Sequence, residues 1–179
     1  MKICVFGAAS DTIATVFTDE AQKLGKKIAE RGHTLVYGAG ATGMMGAVAK
    51  GVKSGGGTIK GVAPEYFNTP GVLFEGCDEL IYTDTMRERK QIMEDSSDAF
   101  IMTPGGIGTF EEFFEILTLA DLGRHKKPIA VFNVAGYFNW VDEVLDSSVS
   151  QGFVSKNIYG VYNTFTDAEE MLNYLESGK

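Results

Sequence analysis

The chain has 179 residues, 44% of them hydrophobic, enough to bury one full core, and it is expected to fold as a single domain over residues 1–179. A formal charge of −8 with no basic stripe argues against nucleic-acid binding, and the apolar runs are strand-length, too short to span a membrane. Cys4 and Cys77 have no metal-ligand spacing and are too few for a disulfide framework; together with an opening "MKICVFGAAS" that has no signal-peptide pattern, they point to a reduced, cytoplasmic protein.

Short β-branched runs alternate with amphipathic segments along the chain. Strands are expected near 2–7, 33–38, 58–63, 79–84, 99–103, 128–133 and 158–163. The first helical pattern carries Phe17, Ala21, Leu24 and Ile28 and stops at Gly32. Others carry Met45, Val48 and Val52, run through "TMRERKQIMEDSS" and "TFEEFFEILTLADLG", and carry Phe138, Val141, Val144 and Leu145 before Gly152. The last opens with Thr166 and Glu169, the spacing of a capping box. Strand and helix in regular alternation imply an α/β protein with a doubly wound parallel sheet of about seven strands flanked by helices. Ligands of such sheets sit beyond the carboxyl ends of the strands, so the strand-to-helix turns are the places to search.

Two turns are rich in glycine. "YGAGATGMMG" contains Gly38-x-Gly40-x-x-Gly43, the form of a dinucleotide fingerprint, with Glu65 where a ribose-binding acid is expected. The fingerprint normally follows the first strand of its unit, whereas this one follows the second, and tight packing explains such glycines equally well. A nicotinamide-dependent oxidoreductase therefore stands as the weaker enzyme reading. In "MTPGGIGTFEE", Pro104 ends a strand, Gly105, Gly106 and Gly108 let the backbone approach a ligand, and Thr109 can cap the helix or offer its hydroxyl. Amides at that helix start suit a phosphate, although a plain strand-to-helix turn with a threonine cap would read the same. No G-x-x-x-x-G-K-[ST] motif occurs, which disfavours a P-loop nucleotidase.

Two charges sit on apolar helix faces. Glu112 shares its face with Ile116 and Leu119, while Glu111 falls further out. Arg89 shares its face with Met86 and Met93, while Arg87 and Glu88 read as solvated. A buried charge without a partner costs several kcal/mol, so Arg89 and Glu112 are expected to pair. The helix after Thr109 carries Phe110, Phe113, Phe114, Ile116, Leu117, Leu119 and Leu122, apolar almost all round, as for a helix covered by its own sheet and by a second subunit.

"MRERK" at 86–90 followed by "PGGIGTFEE" at 104–112 resembles the paired motif of the LOG (Lonely Guy) phosphoribohydrolases, P-G-G-x-G-T-x-x-E in its second half. The likeness extends over "ICVFGAAS", "VYGAGATGMMG", "SDAFIMTPGG", "LGRHKKPIAVFNVAGYF" and "QGFVS". It implies a cytosolic Rossmann-like protein, a homodimer through the helix near 109–122, that hydrolyses nucleoside 5′-monophosphates to free base and ribose 5-phosphate. Cytokinin ribotides (N6-substituted AMP) and AMP are the substrates it implies, with no organic cofactor and no metal. The resemblance makes Arg89 and Glu112 the catalytic pair. It places nucleotide binding on Lys90, Gly105, Gly106, Ile107, Gly108, Thr109, Glu111 and Thr118, on Gly40, Thr42, Gly43 and Met44, and on Ser10.

The family commonly has "CGSS" after the first strand where this chain has Gly7-Ala8-Ala9-Ser10, and "MHERK" where it has Arg87, departures that bear on substrate preference. Residues between Val62 and Asp78 do not align readily and are candidates for the base pocket. An older family label, lysine decarboxylase, does not suit a chain without a recognisable Schiff-base lysine and its partners. The remaining alternative is a nucleotide or molybdenum-cofactor binding module without turnover. In the hydrolase, Glu112 is expected beside C1′, with its pKa lowered by Arg89; His33 and His125 read as structural.

Overall fold

The computed structural model describes residues 1–178. The elements are β1 (Lys2–Phe6), α1 (Thr15–Glu30), β2 (Thr34–Tyr37), α2 (Gly43–Ser54), β3 (Thr58–Pro64), β4 (Glu79–Thr83), α3 (Met86–Asp95), β5 (Ala99–Met102), α4 (Ile107–Asp121), β6 (Ile129–Phe132), α5 (Asn139–Ser150), β7 (Tyr162–Phe165) and α6 (Ala168–Ser177). The seven strands form one parallel sheet in the order β4-β3-β2-β1-β5-β6-β7, a Rossmann-like α/β fold.

Strand alternation divides the core into two layers. Ile3, Val5, Leu35, Tyr37, Ile59 and Ile101 face α1, α2 and α6, where Leu24, Val48 and Met171 meet them. Cys4, Phe6, Val36, Phe100, Met102 and Val131 face α3, α4 and α5, where Met93, Phe113 and Val141 meet them. Because both faces are covered, β5 and β6 are buried at every position, which is why they read as unbroken apolar runs.

Three local expectations are corrected. The run expected as a strand at 158–163 starts as a 3-10 turn, Lys156–Gly160, nucleated by the Ser155 side chain, which accepts from the Asn157 amide. The strand follows at Tyr162–Phe165, where Tyr162 to Phe165 stand opposite Ile129 to Phe132. The cap of α6 is Asp167 rather than Thr166; its carboxylate accepts from the amides of Glu169 and Glu170, and a charged acceptor outcompetes a hydroxyl at a helix start. Val144, expected on the inner face of α5, is exposed; Val141 and Leu145 carry that face.

Candidate active site

The chain leaves β1 toward β2 and β3 on one side and returns with β5 on the other, so the loops after β1 and β5 diverge over a crevice. A cavity of about 650 Å³ lies there. Its walls are Gly7 to Asp11 after β1, Gly38, Gly40, Thr42 and Met45 after β2, Phe67 and Gly71 to Leu73 after β3, Met86 and Arg89 of α3, and Gly106, Gly108, Thr109 and Glu112 at the start of α4.

The start of α3 sets the position of Arg89. Thr85 Oγ1 accepts from the Glu88 amide at 3.1 Å while the Glu88 carboxylate accepts from the Asp84 amide, one residue before the cap, at 3.0 Å, a reciprocal pair that fixes the first turn. Arg89, one residue on, is 5% exposed. Its Nε donates to the Val62 carbonyl at 3.1 Å and its Nη1 to Glu112 Oε1 at 2.9 Å. Nη2 occupies the space that a side chain on Gly38 would fill: a Cβ built there would stand 1.8 Å from it. The first glycine of the apparent dinucleotide fingerprint therefore makes room for an arginine. Gly43, with φ +62°, fits against the carbonyls of Ala8 and Ser10. Glu65, the would-be ribose acid, lies in an exposed 3-10 turn and bonds Asn68, away from the cavity.

Glu112 projects from the first turns of α4 with its side chain 11% exposed. Burial pushes its carboxyl above the ordinary glutamate range, and the Arg89 guanidinium offsets only part of that. The expected lowering is thus reversed, because desolvation of the carboxylate outweighs the attraction of one paired arginine. Such a carboxylate is a stronger base than an exposed glutamate.

The turn before α4 has a different architecture. Gly106 occupies the cap position and offers no side chain to the first amides of the helix. A Cβ on Gly106 or Gly108 would meet nothing within 4 Å, so this backbone faces open space in the cavity. Gly105 lies beneath against Thr109, and its carbonyl accepts from Tyr137 Oη at 2.7 Å, which braces the loop. Unclaimed amides at a helix start hold an anionic oxygen without a cation.

The segment after β3 closes the opposite wall. Leu73 bridges Gly40, the Ala41 amide donates to the Val72 carbonyl at 3.0 Å, and the Phe74 amide donates to the Ala39 carbonyl at 2.9 Å. These bonds set Phe67, Val72 and Leu73 against the cavity beside Met45 and Met86, giving it an apolar end.

The structure brings Ser10, Gly40, Thr42, Arg89, Gly106, Gly108, Thr109 and Glu112 together around the cavity. Seven other candidates do not line it. Met44 is wholly buried in the core, Met45 taking its place, while Gly43 packs against the Ala8 and Ser10 carbonyls and Gly105 against the Thr109 side chain. Ile107 is 82% exposed. Lys90 pairs with Glu111 and Glu115, and the exposed Thr118 turns back to the Phe114 carbonyl at 2.6 Å. Sequence reasoning singled out none of Asp11, Met45, Phe67, Val72 and Leu73 as a site residue, although the stretch between Val62 and Asp78, proposed there for the base pocket, contains the last three. The histidines lie elsewhere, His33 on Glu176 and His125 on the Ile116 carbonyl. Among the described residues, no three His, Cys, Asp or Glu side chains are grouped as a metal site.

A family model described as "Possible lysine decarboxylase" matches residues 45–175. The probable cytokinin riboside 5′-monophosphate phosphoribohydrolase LOGL3 of Oryza sativa subsp. japonica is 39% identical over 98% of this chain and 83% of its own length. The cytokinin riboside 5′-monophosphate phosphoribohydrolase LOG2 of Arabidopsis thaliana is 37% identical over 98% of this chain and 82% of its own. The chain belongs to the LOG family. The decarboxylase wording of the family model finds no support in this LOG site, since among the described residues no lysine lines the cavity. The fold is shared with the molybdenum cofactor binding protein of Rippkaea orientalis, at a TM-score of 0.75 and 22% identity over 98% of this chain and 95% of that one. The Moco carrier protein of Chlamydomonas reinhardtii has a TM-score of 0.72 at 25% identity, over 99% of this chain and 96% of that one.

Proposed function

We propose that the protein hydrolyses the N-glycosidic bond of nucleoside 5′-monophosphates, N6-substituted AMP and AMP among them, to the free base and ribose 5-phosphate. The observation that carries this reading is the buried Arg89–Glu112 pair, set in a cavity beside a helix start with unclaimed amides. A carrier has no need of a desolvated carboxylate held by an arginine, whereas glycosyl hydrolysis does.

The 5′-phosphate sits on the amides of Gly106 to Thr109, which brings C1′ over Glu112. The base extends toward Phe67, Val72 and Met86, where an N6-alkyl group meets apolar side chains. As the C1′–N bond breaks, its electron pair leaves with the base and positive charge develops on the ribose. Glu112 stabilises that charge and accepts a proton from the attacking water, helped by its raised pKa. Arg89 holds one carboxylate oxygen and fixes the orientation of the other. This base works only when ionised, so kcat/KM should fall as pH drops through a pKa above the ordinary glutamate range. A pH–rate profile whose acid limb lies at an ordinary carboxylate value would contradict that assignment.

A homodimer through α4 fits the same reading. Ile107, Glu111 and Thr118, which the family resemblance gives to nucleotide binding, lie exposed on α4, with Phe110 and Phe114 only half-buried. A second copy on this face would cover the two phenylalanines and bring Ile107, Glu111 and Thr118 toward a cavity. A cytoplasmic location and the absence of nucleic-acid partners complete the proposal. Chromatography of the products from AMP and from isopentenyl-AMP tests it: free base with ribose 5-phosphate is expected. Tight nucleotide binding with no release would support a binding module instead, the role named for the Moco carriers that share the fold.

A further inference from the structure

Glu112 stands between two spaces. Behind it, between α3 and α4, lies a chamber of about 10 Å³, the size of one water, lined by Phe6, Lys90, Glu94, Glu112, Glu115 and Ile116. Among the described residues, Glu112 alone lines both this chamber and the front cavity. Arg89 takes Glu112 Oε1 and leaves Oε2 without a protein partner among the described residues.

The charged groups facing Glu112 are Arg89, Lys90 and Glu94 from α3 and Glu111 and Glu115 from α4. From β1 the titratable group is Cys4, buried and held as a thiol. Lys90 Nζ donates to Glu111 and, at 2.8 Å, to Glu115, and an ammonium has one more hydrogen to give. Glu94 is half-buried, its backbone carbonyl takes Lys127 Nζ at 2.8 Å, and burial holds its carboxyl above the ordinary range.

We propose that the rear chamber holds one water and that Glu112 returns its proton to solvent through this water and Glu94. The proposal rests on the hydrolase reading for its place in the reaction. While products fill the front cavity, that side of Glu112 is closed, and the rear remains open to reset the base. The protons balance. The attacking water forms the C1′–O bond and gives one proton to Glu112. That proton leaves through the chamber water to Glu94 and bulk solvent, while the departing base takes one proton from solvent at the mouth. Glu94 is then a positioning and relay residue that does not touch substrate.

The test pairs kinetics with a titration of the wild-type protein. Glu94→Gln should lower kcat for AMP about tenfold with KM held within about twofold, added formate should restore part of the loss, and Glu94→Asp should keep most of the activity. A Glu94→Gln enzyme with wild-type kcat at every pH would overturn the relay. The ¹³C signal of the Glu112 carboxyl, identified by its loss in Glu112→Gln, should titrate in two steps in the wild type, one of them shared with the Glu94 carboxyl, if the chamber water couples the two groups strongly as the relay requires. A single-step curve would overturn the connection. This second readout needs no turnover and no Glu94 variant. Absence of base release would therefore sink the hydrolase reading and leave the chamber to be decided by the titration.

Discussion

The two glycine-rich turns look alike as strings and do opposite things. In the turn after β2, Gly38 gives its side-chain space to Arg89 and Gly43 gives its own to the carbonyls of Ala8 and Ser10. In the turn before α4, Gly106 and Gly108 give their space to nothing among the described residues. Glycine in the first turn is a packing requirement of the buried Arg89; glycine in the second leaves open space in the cavity. A motif count cannot separate these cases, because what matters is the atom that a Cβ would meet.

That contrast can be broken at single positions. Gly38→Ala puts a methyl where Arg89 Nη2 lies, so the arginine must move away from Glu112. We expect kcat to fall about a hundredfold and the fold to lose about 1–3 kcal/mol, read from steady-state kinetics and thermal unfolding. Gly108→Ala meets no protein atom and sits in a helix, so it should stabilise the fold by about 0.5–1 kcal/mol. The same methyl intrudes on the proposed phosphate position and should raise KM for AMP about tenfold with kcat little changed. An equal loss of stability in both variants would erase the distinction between the turns. The smallest effect belongs to the apolar wall: Phe67→Ala should reduce the preference for isopentenyl-AMP over AMP about fivefold, measured as a ratio of kcat/KM values.

The same physical contrast decides what was legible in the sequence. The sheet was readable because buried parallel strands such as β5 and β6 leave no polar residue in the run. Arg89 and Glu112 were readable as a pair because each is a charge on an apolar helix face. The far end of the cavity was readable only as the stretch between Val62 and Asp78, because Phe67, Val72 and Leu73 lie outside the long helices and strands, where no period marks which side chain faces inward. Lys90, Glu111 and Thr118 were named from motif resemblance, and in the single chain they point away from the cavity into ion pairs and a helix carbonyl. The pKa of Glu112 went the other way because pairing is visible in a sequence and the depth of burial is not. At β7, "IYGVYN" has the composition of a strand, but Ser155 captures its start as a 3-10 turn.

The central claim is that Glu112 performs the chemistry and that the glycine turn before α4 holds the nucleotide. Glu112→Gln keeps the shape of the side chain and an acceptor for Arg89 while removing the base. Calorimetric binding of AMP and chromatographic release of adenine should be measured on this variant beside the wild type. The account predicts AMP affinity within about threefold of wild type and adenine release lowered about a thousandfold. Adenine release at the wild-type rate would contradict it and move the reacting group elsewhere in the cavity.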